Sequence, residues 1–412
     1  MKAAIVTIGN ELLQGFVVDT NAAWLGKELL SLGVEVVEHL SVGDEEEAIR
    51  KAIIAGLADA DLVIVTGGLG PTSDDVTKSV VAGIFDALLV RDKRILKDIQ
   101  NRFKTRGLRM PAINRDQALV PWPGRFFPTP LGSAPGLVFE KSSKTCILLP
   151  GVPWEMKALF EQEVRGFVRK RARGNCILTK TLHTTGILES ALAERIVPLT
   201  RRWPIGTLAY LPSTSGVDLR VKAEGSTRRE AQERVESFAR NLAKAVEPYL
   251  YGTGEETLEG TVGRLLHRNR QTVAVAESCT GGLIGDRLTN IPGSSAYFLG
   301  GAVAYSNLLK HRLLGVSSLI LRKRGAVSEE CARQMAKGVR DLCGADYGLA
   351  VTGIAGPGAG SEEEPVGLIY LALADGRKVR VERHRFLNSR REIKERTAQA
   401  ALNLIRKELL KS

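Results

Sequence analysis

The sequence has no apolar stretch of 18 uncharged residues, which excludes an ordinary membrane-spanning helix. Cysteine is scarce and scattered. Cys146, Cys176, Cys279, Cys331 and Cys343 form no Cys-x-x-Cys pair, and five cannot all pair with one another. That argues against a disulfide framework or a zinc ribbon, and reduced thiols are expected. Aromatic residues make up 5% of the chain, with no aromatic nucleic-acid-binding pattern and no recognition-helix motif. Histidine is scarcer still. His39, His183, His267, His311 and His384 stand outside every glycine-rich or hydroxyl-rich motif, so chemistry in those motifs needs another base. The absence of biased or repeated segments removes wholly disordered, collagen-like and coiled-coil proteins.

What is present suffices for several cores. With 412 residues, 44% of them hydrophobic, the length suits two to four domains. The stretch from Met1 to Gly9 meets a glycine too early for a signal-peptide core and reads as a strand, so the expected compartment is the cytoplasm. The net charge of +12 is uneven: residues 1–174 hold 23 basic and 21 acidic side chains, the remainder 35 and 25. The later surplus suits anionic ligands, whether nucleotides or nucleic acid.

Within the first domain, residues 1–174, the first 90 residues alternate strands with helices, which implies an α/β domain with a parallel sheet covered on both faces. Ala3–Ile8, Val34–Leu40 and Leu62–Val65 read as strands; Leu25, Leu29 and Leu32 recur at helical spacing before Gly33. Asp44 with Glu47 forms a capping box for a helix to about Leu57. A helix from about Trp154 ends in Arg165, Arg169, Lys170, Arg171 and Arg173 before Gly174, the first boundary. Residues 175–252 read as a small α+β linking module: strands Ile205–Leu211 and Val217–Ala223 flank a turn, and Thr227 with Glu230 caps a helix to about Val246. It shows no catalytic cluster. Residues 253–412 form a second α/β domain, with an Asp375-Gly376 hairpin and a last helix capped by Ser389 and Glu392.

Ligands of such sheets bind at the carboxyl ends of the strands. In the first domain those ends carry Gly9-Asn10-Glu11 and the run Gly67, Gly68, Leu69, Gly70, Pro71, Thr72. Glycines let backbone N–H groups converge on an oxyanion, and Asp74-Asp75 fall in the first turn of the next helix. Either the acids complement the helix dipole, or one of them with Glu11 holds Mg²⁺ against phosphate oxygens. In the last domain Ser278 stands at a strand-to-helix turn followed by Cys279, Thr280, Gly281 and Gly282, whose N–H groups could form an oxyanion hole. Pro292-Gly293-Ser294-Ser295 and the run Tyr305 to Lys310 follow. A lysine whose pKa falls from ~10.4 to roughly 7–8 can replace histidine as base for a serine. His311 adjoins Lys310, but helical spacing turns it about 100° away. Cys279 is a rival nucleophile. Gly353–Gly360 reads as a second phosphate cradle or an ordinary flexible loop.

Together these motifs resemble, essentially end to end, the competence/damage-inducible CinA family. Residues 9–13, 19–21, 66–75, 132–136 and 149–156 are similar to a MoaB/MogA-like molybdopterin-binding fold. Residues 276–282, 292–295, 305–310, 325–328 and 352–357 are similar to a nicotinamide-nucleotide amidohydrolase domain. The resemblance implies that the C-terminal domain deamidates nicotinamide mononucleotide (NMN) without a cofactor. Ser278 or Ser295 would be the nucleophile, Lys310 the base, Tyr305 a supporting hydroxyl and Arg390 a site cation. Thr280, Gly281, Gly282, Thr352, Gly353 and Gly356 would bind substrate. It implies a metal-dependent ADP-ribose pyrophosphatase in the N-terminal domain, with Glu11, Asp74 and Asp75 as metal ligands and Gly67, Gly68, Gly70 and Thr72 at the substrate. A homodimer acting on small nucleotides, with no membrane or nucleic-acid partner, is the corresponding expectation. The chain departs from the family pattern at Asp116, Thr129, Glu364 and Asn388-Ser389. The alternatives are a non-catalytic nucleotide- or pterin-binding N-terminal module and a nucleic-acid accessory protein.

Overall fold

The structure, a computed structural model, describes residues 1–412 apart from 73–74, 130–131, 133, 173–175, 202, 205, 359–361, 363 and 412. It divides into two compact units, Met1–Leu178 with Ala223–Arg234, and Thr179–Lys222 with Val235–Ser412. Among the described residues no helix is long and apolar enough to cross a membrane.

Among the described residues of the first 150 are eight strands: β1 (Lys2–Ile8), β2 (Glu35–Val42), β3 (Leu62–Thr66), β4 (Leu88–Arg91), β5 (Leu119–Trp122), β6 (Arg125–Phe127), β7 (Gly136–Lys141) and β8 (Lys144–Leu149). Six form one sheet in the order β2-β1-β3-β8-β7-β6, while β4 and β5 pair separately. The β2, β1, β3 and β8 pairings are parallel and the β7 and β6 edge is antiparallel. Strands covered on both faces need apolar residues at every position. Along β1, Ala4 and Val6 enter the core with Ile49 and Ile53 of the Glu46–Asp59 helix. Ala3 and Ile5 enter the opposite core with Leu25 and Leu29 of the Thr20–Ser31 helix. Because β1 lies between β2 and β3, successive crossovers diverge around it, opening a crevice at its carboxyl end.

Two local expectations are corrected. The 46–59 helix has Glu45 at its N-cap and no side-chain cap; Asp44 instead accepts the Asn10 N–H at 3.0 Å. The partner offered by the turn after β1 displaces the local capping box. The helix after the glycine loop begins at Thr77, so Asp75 precedes it, and its carboxylate accepts from the Thr72 N–H and hydroxyl at 2.8 and 2.5 Å. That carboxylate shapes the loop rather than the helix.

The next four strands, β9 (Cys176–Thr184), β10 (Leu208–Pro212), β11 (Val217–Gly225) and β12 (Leu250–Thr253), form a sheet in the order β10-β11-β9-β12. Ile205, the expected start of β10, lies outside the described residues. The last sheet contains β13 (Val273–Glu277), β14 (Phe298–Val303), β15 (Tyr347–Gly353), β16 (Leu368–Ala374) and β17 (Val379–Arg385), ordered β14-β13-β15-β16-β17. β13, second from one edge, is parallel to both of its neighbours, β14 and β15. Val273 and Val275 face a core with the Leu258–Asn269 and Arg390–Leu409 helices, and Ala274 and Ala276 face one with the Glu329–Cys343 helix. The chain again diverges around one strand, β13, which delivers Glu277 and Ser278 to that switch point.

Candidate active sites

Ser278 follows β13, and its N–H donates to the Val351 carbonyl of β15, so both strands fix its position. Its side chain is 7% exposed. Lys310 comes from the Asn307–Leu314 helix, whose N-cap Ser306 accepts from the Leu309 N–H. The lysine is 1% exposed and its Nζ lies 3.0 Å from Ser278 Oγ. The same nitrogen donates to the carbonyls of Ala304 at 2.9 Å and Tyr305 at 3.3 Å. Burial pulls Lys310 below its usual range. The thiols beside it offer no counter-charge near neutral pH, because burial pushes Cys331 to about 11 and Cys279 to about 12. The latter value also removes the thiolate that a Cys279 nucleophile would need.

At the mouth, Arg390 Nη2 donates to Tyr305 Oη at 3.0 Å and Nη1 to the Gly356 carbonyl at 2.5 Å. Thr352 is buried at the end of β15 and donates to the Ala326 carbonyl at 2.6 Å, and Gly353 closes that strand. Thr280 is buried, with no hydrogen-bond partner for its hydroxyl among the described residues. The Gly281 N–H is taken by the Ser278 carbonyl. Gly282 donates to Glu277, which is 1% exposed and also accepts from the N–H groups of Ile284 and Gly285, at 2.8–3.1 Å. The carboxylate thus occupies the N-terminus of the following helix, the place expected to receive an anion. Ser295 sits exposed on the Ser294–Ala296 turn and bonds nothing in this cluster among the described residues. His311 turns away, with Nδ1 2.8 Å from the Val316 carbonyl.

The N-terminal crevice is a cleft of about 590 Å³ lined by Gly67, Gly68, Gly70, Glu11, Asp75 and Glu155 among others. Gly67 has φ +111°, and a Cβ there would stand 2.2 Å from the Ile8 carbonyl oxygen, so only glycine permits this approach of the loop to β1. Thr72 supports the loop through Asp75, and Asp74 lies outside the described residues. Burial raises the Glu155 carboxyl above its usual range, with Arg102 opposing. Asn21 donates to Thr66 Oγ1 and the Gly151 carbonyl, but its own Oδ1 is buried without a partner among the described residues. No group of three or more His, Cys, Asp or Glu among the described residues converges as a metal cage. The hard oxygens of Glu11 and Asp75 still fit Mg²⁺ in the way it usually binds, through one or two carboxylates with phosphate oxygens and water completing the shell.

Comparison with known proteins matches three stretches of the chain to families. The "CinA C-terminal domain" family matches residues 255–409, the "Probable molybdopterin binding domain" family residues 4–170, and the "Damage-inducible protein CinA KH domain" family residues 179–252. The chain is 40% identical over 410 residues to the CinA-like protein of Dictyoglomus thermophilum, covering 100% of each. It is 42% identical over 411 residues to the CinA-like protein of Gemmatimonas aurantiaca, covering 99% of this chain and 96% of that one. The chain belongs to the CinA family. The crystal structure of competence/damage inducible protein CihA from Agrobacterium tumefaciens is 41% identical, covering 36% of this chain and 94% of its own, with a TM-score of 0.35. The CinA family's MoaB/MogA-like parallel-sheet domain is therefore the N-terminal part of this chain, as expected from its motifs.

Three polar residues of this CinA chain escaped sequence reasoning. Glu277 adjoined the right motif but gave no sign of capping the next helix. Lys78 is buried, with its ammonium on the Asp116 and Gln117 carbonyls at 3.2 and 3.3 Å and its pKa pulled to about 8 by burial. Lys394 lies one helical turn beyond Arg390. The module matching the KH family contains no Gly-x-x-Gly between residues 179 and 252, the loop by which KH domains clamp nucleic-acid backbone.

Proposed function

We propose that the C-terminal site hydrolyses the carboxamide of NMN to nicotinic acid mononucleotide and ammonia, with Ser278 as nucleophile and Lys310 as base. The observation that supports this is the three-way environment of the lysine nitrogen. A neutral amine has two N–H donors and one lone pair. The Ala304 and Tyr305 carbonyls accept the two donors, and Ser278 Oγ stands where the lone pair can receive its proton. Lys310 takes that proton as Oγ bonds to the carboxamide carbon. It then protonates the leaving nitrogen, and ammonia departs as the C–N bond breaks. Water adds to the acyl carbon with Lys310 again as base, releasing the carboxylate and restoring the serine. With the Gly281 and Gly282 N–H groups engaged inside the loop, the oxyanion falls to those of Cys279 and Thr280. Tyr305 and Arg390 hold the substrate at the mouth.

Ammonia release tests the assignment. Ser278→Ala and Lys310→Met should each reduce it by about 10²-fold or more in folded protein. Wild-type turnover by Lys310→Met would remove the base. An inactive Ser295→Ala beside an active Ser278→Ala would move the nucleophile to Ser295.

For the N-terminal cleft the same reading assigns cleavage of ADP-ribose to AMP and ribose 5-phosphate. Glu11 and Asp75, with Asp74, would hold a divalent cation that neutralises pyrophosphate charge when bound. The glycine loop would cradle the phosphates and Lys78 would brace its floor. A second reading, nucleotide binding without cleavage, is favoured by one observation: the Asp75 carboxylate is already engaged by Thr72. ADP-ribose binding without turnover would select it. Residues 1–174, 175–252 and 253–412 are proposed as the pyrophosphatase, linking and deamidase domains of a cytoplasmic protein.

A further inference from the structure

Among the cations around Ser278, most are already engaged. Lys310 serves one hydroxyl and two carbonyls, and Arg390 serves Tyr305 and Gly356. The N-terminus of the Arg390–Leu409 helix is closed by its own capping box, with Glu392 accepting from the Ser389 N–H and hydroxyl at 3.0 and 2.6 Å. Lys394, on the next turn of that helix, is different. It is half-buried, with no hydrogen-bond or ion-pair partner among the described residues. Its ammonium faces the Thr280-Gly281-Gly282 turn: a methyl group built on Gly281 would stand 3.7 Å from Nζ, and its charge reaches the Cys279 thiol. The nearby Glu277 carboxylate is taken by three backbone N–H groups. An ammonium that faces this turn with no counter-charge of its own is available to pair with an anionic ligand group. Lysine serves phosphate as a point charge that needs no bidentate geometry.

We infer that Lys394 receives the phosphate of a phosphomonoester-bearing nucleotide and so makes the site select the nucleotide over the nucleoside. The inference rests on the deamidase reading for the identity of the substrate. Calorimetric titration of NMN and of nicotinamide riboside into protein carrying Ser278→Ala, with Lys394 intact or replaced, separates the two claims, because binding is then read without turnover. With Lys394 intact that protein should prefer NMN by about tenfold or more, Lys394→Met should abolish the preference, and Lys394→Arg should restore most of it. An unchanged preference in a folded Lys394→Met protein, or equal weakening for both ligands, overturns the inference. A Lys394-dependent preference without ammonia release by the wild type would leave it standing and sink the deamidase reading. Ammonia release with a preference indifferent to Lys394 would do the reverse.

Discussion

Lys310 is a cation placed where a cation is disfavoured, and its titration is the most informative residue-scale property of the protein. Burial lowers its folded pKa below the ordinary 10.5, and the adjoining thiols are neutral until about pH 11 or above. Between the folded pKa and 10.5 the unfolded chain binds more protons than the native one, so this group favours folding increasingly as pH rises through that window. Below the folded pKa its destabilising cost is present in full. The proposed catalysis would run in the same direction. Ammonia release should climb with pH as the neutral amine accumulates and level off before 10.5; a flat profile from about pH 6 to 10 would contradict the lysine base. The residue was legible beforehand because a hydroxyl cluster without histidine needs a base, and lysine was the candidate in it. Lys78 and Lys394 were not legible. Lys78 meets carbonyls 38 and 39 residues away, and Lys394 meets a turn from a different strand-to-helix junction. Each reads in sequence as one more solvated charge.

At the scale of elements, what was legible depended on whether a partner was local. Ser389 and Glu392 form the expected capping box because both groups lie within one turn. Asp44 fails the same pattern because Asn10, 34 residues away, competes for its carboxylate. The Arg390–Leu409 helix shows the non-local case most fully. Arg406, 2% exposed, donates to Asn403 Oδ1 at 3.0 Å and to the carbonyls of Leu250 and Pro248 at 2.7 and 2.9 Å. It thereby ties this helix to the segment entering and forming β12. Replacing it by leucine removes the donor from two part-buried carbonyls, so Arg406→Leu should cost about 1–3 kcal/mol in urea denaturation. A change below about 0.5 kcal/mol would show that water takes over those acceptors. Because this helix carries Arg390 and Lys394, loosening its anchorage should weaken NMN binding as well.

At the scale of the whole molecule, both proposed sites occupy switch points of α/β sheets, and the sequence located both because strand ends and glycine loops are local signals. The closed state of their surroundings was not local. Glu277 fills a helix N-terminus and Asp75 is engaged by Thr72, so the two motifs that looked open to anions are partly satisfied from within. The two sites also differ in kind: one pairs a lysine with a serine, the other is a cleft lined by carboxylates. The most direct test of the central claim is ammonia release from NMN by the full-length protein, with and without EDTA. The account predicts release that survives the chelator while any ADP-ribose cleavage is lost. No ammonia from folded protein under either condition would contradict the deamidase assignment.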